Sequence, residues 1–102
     1  MTDYADRLAS QERAKVCVLL ARYLLVATAM GDRRGFIFTK TDGTTREVKP
    51  TRVHAHQSSP RILLFLCPMR NAWRSCRIAN LVSVEDADGR TMTIPEVQAS
   101  LA

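Results

Sequence analysis

Cationic side chains cluster in the middle of the sequence, where they could bind a polyanion. Residues 33–80 hold ten basic and two acidic side chains, whereas residues 1–32 hold four of each. Guanidinium groups make bidentate contacts with phosphate, and an indole beside them can stack on a base. We therefore predict a surface for nucleic acid or a nucleotide-like ligand, made by Arg46, Lys49, Arg52, Arg70, Trp73, Arg74 and Arg77. The open alternative is that Trp73 seals one end of the domain and the arginines only keep it soluble.

Two further groups contain residue types found in metal sites or catalytic sites, but their spacing does not fit such a site. The types that bind zinc occur at His54, His56, Cys67 and Cys76. The cysteines lie in separate apolar stretches rather than in close pairs across a turn, so we predict no metal and no cofactor. Nothing in the sequence marks a thiol as activated, and Asp42 and Glu47 lie at a hairpin rather than in a cleft. We therefore expect a protein that is not an enzyme.

A long N-terminal helix must support this central region. Helix-forming residues continue over residues 4–30, with Asp3 placed to cap the start and Gly31 placed to end it. The second half of this helix is apolar nearly all round, and such a helix must be covered on every side. We therefore predict a homo-oligomer, most simply a dimer, with an interface formed by Val18, Leu20, Leu24 and Leu25. The open alternative is that residues 16–26 form a strand, because period alone does not separate the two over so short a stretch.

Short strands separated by turns follow the helix. They are predicted at residues 36–41, at 44–49 after an Asp42-Gly43 turn with a bent continuation at 51–56, at 62–67, from Trp73 through 81–84, and at 91–94. About five strongly bent strands with a helix across them favour a barrel, which leaves no exposed sheet edges. The predicted fold is α+β: an N-terminal helix over residues 1–31, a small five-stranded antiparallel β-barrel over 35–94, and a C-terminal tail over 95–102.

Side chains alternate after the turn at residues 68–72. Cys76, Ile78 and Val82 share one face of the predicted strand, and Trp73, Ser75, Arg77 and Ala79 share the other. Arg74 and Arg77 are three residues apart, so in a regular strand they point to opposite faces. We expect both to reach one ligand only if a bulge or the start of the strand turns Arg74 outward.

Length and composition limit the remaining possibilities. The 102 residues suffice for a single domain with one core. The three cysteines are odd in number and lie in apolar stretches, which indicates buried thiols in a reducing compartment. The N-terminus lacks a basic region typical of a secretory signal peptide, and the longest apolar stretch, residues 16–30, is interrupted by Arg22 and is short for a bilayer. We expect a cytoplasmic protein without a membrane partner.

Four segments together suggest a family. They are F-I-F-T-K-T-D-G at residues 36–43, R-E-V-K-P at 46–50, I-L-L-F-L-C at 62–67 and W-R-S-C-R-I-A-N-L at 73–81. In order and spacing this set resembles the WYL domain, a small Sm-like or SH3-like barrel found mostly in bacterial transcription regulators. Ile62 and Leu63 stand in place of the family's Trp-Tyr pair, and Asn80 in place of an arginine. The resemblance implies that Arg74 and Arg77, which match residue by residue, bind nucleic acid or a nucleotide-like regulator.

Two functions are consistent with these observations. The first is a stand-alone WYL-like regulatory module that binds nucleic acid or a nucleotide-like ligand through its arginine-rich surface. The second is a non-catalytic protein-interaction or adaptor subunit that oligomerises through the N-terminal helix. Competition with single-stranded RNA or DNA distinguishes the two.

Overall fold

The computed structural model describes residues 4–102, with side chains from residue 9 onward, and it has an α+β fold. Its elements are α1 (Tyr4–Ala29), β1 (Arg34–Thr39), β2 (Thr45–Thr51), β3 (Val53–Ala55), β4 (Ile62–Cys67), β5 (Ala72–Arg77), a 3₁₀ turn (Ile78–Asn80), β6 (Leu81–Val84) and α2 (Ile94–Leu101). The predicted long helix is confirmed, and it ends before Gly31, whose φ of 86° suits glycine. The predicted cap Asp3 lies outside the described residues.

The strands form two three-stranded antiparallel sheets instead of one closed barrel. The first sheet has the order β2-β1-β6 and the second the order β3-β4-β5. Arg52 alone separates β2 from β3, so one sharply bent segment passes from the first sheet to the second. The 3₁₀ turn joins the edge strands β5 and β6. The structure thus has six strands where five were predicted, and the ladders that it describes do not close into a barrel.

The β1–β2 hairpin turns at the predicted place but with a longer loop. Lys40 N–H donates to the Thr44 carbonyl at 2.7 Å, and Gly43 N–H donates to the Lys40 carbonyl at 3.0 Å. Three residues, 41–43, therefore form the loop, and Gly43 takes a φ of 88°. A turn followed by a left-handed glycine is the usual geometry of a three-residue hairpin loop.

The predicted strand at residues 91–94 is wrong, and the predicted C-terminal tail at 95–102 is mostly the helix α2. Thr91 forms one isolated bridge with Glu85, and the chain then enters α2. Thr93 and Glu96 make a reciprocal capping box: Glu96 N–H donates to the Thr93 hydroxyl, and Thr93 N–H donates to the Glu96 carboxylate. Val97 of α2 is fully buried, so this helix belongs to the core.

The core lies between the two sheets and the C-terminal half of α1. Phe36, Phe38 and Phe65 meet at its centre, with the rings of Phe36 and Phe65 edge to face at 5.4 Å. Helix α1 contacts β1, β3, β6, the 3₁₀ turn and α2, and it is therefore covered on several sides by its own chain.

This coverage corrects the predicted oligomer interface. Leu20 and Leu24 are each 1% exposed and lie in the core, so neither is available to a partner. Leu25 is partly buried against the same core. Val18 is 60% exposed and is the member of the predicted interface that remains accessible. The prediction failed because it assumed that the strands cover one helix face, whereas α2 and the 3₁₀ turn cover others.

Hydrogen bonds join α1 to the rest of the fold at three positions along the helix. The Cys17 Sγ lies 3.4 Å from the carbonyl oxygens of both Ala79 and Leu81, and its single S–H is shared between them. The Tyr23 hydroxyl donates to the Glu85 carbonyl at 2.8 Å. Near the end of the helix, the Thr28 hydroxyl accepts from Val53 N–H at 3.1 Å, just after the bend at Arg52. These contacts hold the 3₁₀ turn, both ends of β6 and the start of β3 against the helix.

Candidate nucleic-acid interface

Strand β5 carries the two arginines on which the predicted function depends. It pairs with β4 without a break in register, from Ile62 opposite Arg77 to Cys67 opposite Ala72. Cys76 is buried, while Trp73 and Arg77 are exposed, so the predicted alternation is confirmed within β5. It does not extend to Val82, which was predicted on the face of Cys76 but is 48% exposed, because the 3₁₀ turn at Ile78–Asn80 interrupts the strand. Arg74 shares the inner face with Cys76 and is half-buried. The two arginines therefore project from opposite faces, and the bulge that could have turned Arg74 outward is not formed.

They nevertheless line the same cleft, because β5 is the edge strand of its sheet. This cleft has a volume of about 370 Å³ and lies between the edge of β5 and the end of the β1–β2 hairpin. We call it the basic cleft. Its cationic side chains are Lys40, Arg46, Arg74 and Arg77, and its neutral polar side chains are Thr39, Thr41, Ser75 and Asn80. Phe38 and Phe65 form its apolar floor.

The charge of the basic cleft is not balanced by its own lining, which contains no carboxylate. None of Arg46, Arg74 and Arg77 forms an ion pair with a carboxylate that the structure describes. Lys40 has one long, exposed contact of 3.9 Å with Asp42, which holds it weakly. Arg74 Nε is buried and has no hydrogen-bond partner among the described residues. The cleft therefore presents donors and positive charge for an anion.

Cys67 responds to this positive charge. Arg46 donates to its Sγ at 3.4 Å. Burial raises the pKa of the Cys67 thiol, but the N–H groups of Arg70 and Met69 and the charges of Arg46 and Arg74 together bring that pKa below its ordinary value. The thiol was predicted to be buried and without activation. It is 1% exposed, as predicted, but its environment lowers the pKa of the thiol, which the sequence did not indicate.

The other two cysteines have the opposite environment. Burial raises the pKa of Cys76 to about 12, and burial also raises the pKa of Cys17 despite the nearby charge of Arg13. All three thiols are free and buried, as the sequence predicted. The zinc-ligand types remain apart, because Cys67 and Cys76 face the core while His54 is exposed on the outer face of the sheet.

The remaining predicted residues lie outside the basic cleft. Trp73 is 49% exposed on the same face of β5 as Arg77, and its ring lies 5.3 Å from that of His54. Lys49 is exposed and contacts Glu47 at 3.9 Å. Arg52 is exposed at the bend between the sheets, and Arg70 is exposed in the β4–β5 turn. The structure brings three of the seven predicted residues together and leaves four at other places on the surface.

Sequence reasoning missed the cleft residues contributed by the β1–β2 hairpin and the 3₁₀ turn. Lys40 directly precedes the hairpin loop, and the hairpin register places Arg46 opposite Phe38. These neighbours could have been found from the Asp42-Gly43 turn, which fixes which residues face each other. Asn80 was treated as the loss of a family arginine, yet it lines the cleft as an amide donor and acceptor.

The chain matches no protein-family model, no curated protein and no solved structure. The resemblance to the WYL domain therefore stays a prediction. Within residues 4–102, no helix is long and apolar enough to cross a bilayer.

Proposed function

We propose that this protein is a non-catalytic module that binds nucleic acid or a nucleotide-like ligand, with a phosphate group seated in the basic cleft. The observation that supports this most is a cleft lined by one lysine and three arginines without a carboxylate. The buried Arg74 Nε adds to it, because a buried donor without a partner costs free energy that a bound phosphate oxygen would recover.

The lining suits a phosphate in more than charge. Arg46, Arg74 and Arg77 offer planar forks that can each contact two phosphate oxygens. The hydroxyls of Thr39, Thr41 and Ser75 and the amide of Asn80 supply neutral donors around them. Such a mixture favours a phosphoryl group over a simple carboxylate, since more oxygens are available to accept.

Trp73 extends the proposed interface beyond the cleft. It lies on the same face of β5 as Arg77, four residues away, which is roughly 13 Å along a strand. Its exposed indole can stack on a base while Arg77 contacts the backbone. This arrangement favours a short single strand over a duplex, because stacking requires an unpaired base face.

We further propose that the two sheets are an incompletely closed form of an Sm-like barrel, as the WYL resemblance implies. The bent β2–β3 segment and the 3₁₀ turn between β5 and β6 support this. If β2 and β3 are counted as one strand, the strand order runs β6, β1, β2–β3, β4 and β5, which is the number of strands that such a barrel needs.

Titration of a fluorescent single-stranded oligonucleotide tests the proposed function. We expect Arg74→Ala and Arg77→Ala each to weaken binding by about 1–3 kcal/mol and to reduce the salt slope. Arg33→Ala is the matched control, because Arg33 is an exposed arginine before β1 and outside the cleft lining. Lysine at position 74 or 77 should recover part of the loss, since it keeps the charge without the fork. Unchanged affinity in both alanine variants, or no binding by the wild type, would refute the proposal.

The adaptor function is the second candidate, and the exposed Val18 is the observation that favours it. In this case the N-terminal helix would contact another subunit through Val18 and the partly buried Leu25, without Leu20 and Leu24. Light scattering at micromolar concentration tests for this assembly, and the absence of oligonucleotide binding separates this candidate from the first. An assembly that forms without nucleic acid and is lost in Val18→Glu would support it.

A further inference from the structure

A second cavity lies between α1 and the end of the β4–β5 ribbon, on the other side of Arg77 from the basic cleft. We call it the helix groove, and its volume is about 720 Å³. Apolar side chains from three elements form most of its walls, among them Ala14, Val18, Ile62 and Ile78. Its size is that of a small-molecule site, and small-molecule sites are usually apolar with a few polar groups.

Val18 shows that this apolar wall is open. The side chain is 60% exposed, although it lies next to the buried Cys17 on the same helix. The Cys17 thiol is bonded to the carbonyls of Ala79 and Leu81, so the helix wall is held at a fixed distance from the 3₁₀ turn. The groove is therefore a built feature of the fold, with its apolar surface accessible.

Two arginines give the groove a polar end. Ile62 pairs with Arg77, and Ile78 N–H donates to the Arg61 carbonyl at 2.9 Å, so Arg61, directly before β4, lies next to the end of β5 at Arg77. Both line the groove, whose lining contains no carboxylate. Neither forms an ion pair with any acidic side chain that the structure describes. An apolar cavity with unbalanced positive charge at one end complements an amphiphilic anion.

The charges also argue against a second copy of the chain as the occupant. A two-fold interface brings the same patch of both subunits together. Grooves facing each other would place two pairs of arginines in one interface, in a protein whose net charge is already +5. Like charges in a desolvated interface oppose association.

We propose that the helix groove binds a small amphiphilic carboxylate, that is, a hydrocarbon chain of medium length whose carboxylate is held by Arg61 and Arg77. Ala14, Val18, Ile62 and Ile78 cover the chain. The groove shares Ile62 and Arg77 with the basic cleft, whereas Arg61 lines the groove alone.

Calorimetric titration with hexanoate, octanoate and decanoate at pH 7 tests the proposal. We expect one molecule of decanoate per chain and an affinity that rises about fourfold for each added methylene. Decylammonium, with the same chain and the opposite charge, should bind at least about tenfold more weakly. Equal affinity for both head groups, or no decanoate binding at millimolar concentration, overturns the proposal.

Matched variants test which residues bind the carboxylate and which residues cover the hydrocarbon chain. Arg61→Gln should weaken decanoate binding about tenfold but leave 1-decanol binding unchanged, whereas Arg22→Gln, on the exposed face of α1, should change neither. Ala14→Phe should block the groove for all chain lengths, and Ala29→Phe, an exposed alanine near the end of α1, should not. Both Arg61 and Ala14 are exposed, so we expect the variants to remain folded, and thermal melts check this. Unchanged decanoate affinity in Arg61→Gln refutes the head-group assignment.

Light scattering on the same samples tests whether a second copy of the chain occupies the groove instead. A concentration-dependent dimer that is lost in Ala14→Phe would give the groove to a second copy and overturn the proposal. Because Arg61 does not line the basic cleft, the outcome for Arg61→Gln is independent of whether oligonucleotides bind.

Discussion

Cys76 illustrates how the environment of a single residue decides the effect of a conservative change. Its thiol faces the core, and burial raises its pKa to about 12. Cys76→Ser should lower the free energy of unfolding by about 1–3 kcal/mol, because a hydroxyl is placed where the thiol makes no hydrogen bond among the described residues. Urea denaturation measures this cost.

Cys17→Ser is the matched comparison. A serine hydroxyl at position 17 can still donate to the carbonyls of Ala79 and Leu81, so its cost should be smaller. Oligonucleotide affinity of the folded fraction should be unchanged in Cys76→Ser. A larger loss of stability in Cys17→Ser than in Cys76→Ser would contradict this account of the thiols.

Also at the residue scale, the sequence predicted which side chains of β5 point inward, but it did not predict that Arg74 and Arg77 line one cleft. Alternation is a local property, so Cys76 inward and Trp73 and Arg77 outward followed from period alone. That Arg74 and Arg77 share a cleft depends on β5 being an edge strand, which is a property of the sheet order. The alternation of residues within one strand does not show where that strand lies in the sheet.

At the scale of elements, α2 was predictable from a motif that the sequence displays. Thr93-Ile94-Pro95-Glu96 has the spacing of a capping box, with proline in the first turn. The alternation of residues 91–94 instead favoured a strand. The capping interactions prevail in the structure because Val97, one turn further on, is fully buried and adds packing that a short edge strand would not have.

The capping box gives a direct test of this helix. Thr93→Ala removes the acceptor for Glu96 N–H and should lower the free energy of unfolding by about 0.5–2 kcal/mol. Thr93→Ser keeps the hydroxyl and should remain close to wild type. Chemical denaturation followed by circular dichroism measures both variants, and equal stability of Thr93→Ala and Thr93→Ser would rule out a contribution from the cap.

The turn between β6 and α2 should make stability depend on pH. The N–H groups of Arg90 and Asp88 bond to the Asp86 carboxylate and, despite its partial burial, hold its pKa below the ordinary 3.8. The folded state therefore prefers the ionised carboxylate. This contribution is complete above about pH 3.8 and is lost as pH falls through the folded pKa.

Asp86→Asn should consequently flatten the fall in stability below that pH. Asp88→Asn changes the charge of the same turn but leaves the Asp86 acceptor in place, so it should retain the wild-type acid profile. Thermal melts between pH 2 and pH 6 give the comparison, at roughly half-unit intervals around the ordinary aspartate value. Parallel acid profiles for wild type and Asp86→Asn would show that this turn does not contribute.

At the scale of the whole molecule, the long helix and the α+β class could be predicted, but the closure of the sheets could not. Periodicity located α1 and most strands, and the Asp42-Gly43 turn located the first hairpin. The bend at Arg52 and the coverage of α1 by α2 depend on contacts between residues far apart in the chain. This is also why the apolar surface of α1 was assigned to a partner when much of it lies inside the subunit.

Leu24→Glu tests whether the apolar surface of α1 faces a partner subunit or lies inside its own subunit. Leu24 is 1% exposed, so an ionised glutamate there should unfold the monomer, with a cost at or above the roughly 2–5 kcal/mol of truncating a buried leucine. Val18→Glu, at a 60% exposed position of the same helix, should stay folded. Circular dichroism and light scattering report on both. A folded Leu24→Glu monomer would restore the original interface prediction.

Arg77 lines both the basic cleft and the helix groove, and the two sites should therefore be coupled. A carboxylate that engages Arg77 in the groove withdraws it from a phosphate in the cleft. Saturating decanoate should lower oligonucleotide affinity by at least about fivefold, and by linkage the oligonucleotide should lower decanoate affinity by the same factor. Titrating each ligand in the presence of the other measures both factors.

Two controls separate this coupling from a general effect of the ligands. 1-Decanol occupies the apolar part of the groove without a charge, so it should leave oligonucleotide affinity unchanged. In Arg77→Ala each ligand should bind more weakly, but neither should affect the other, because the shared side chain is gone. If each ligand binds the wild type alone and neither changes the affinity of the other, then Arg77 does not connect the two sites, and each is held by the arginine that it does not share: Arg61 in the groove and Arg74 in the cleft.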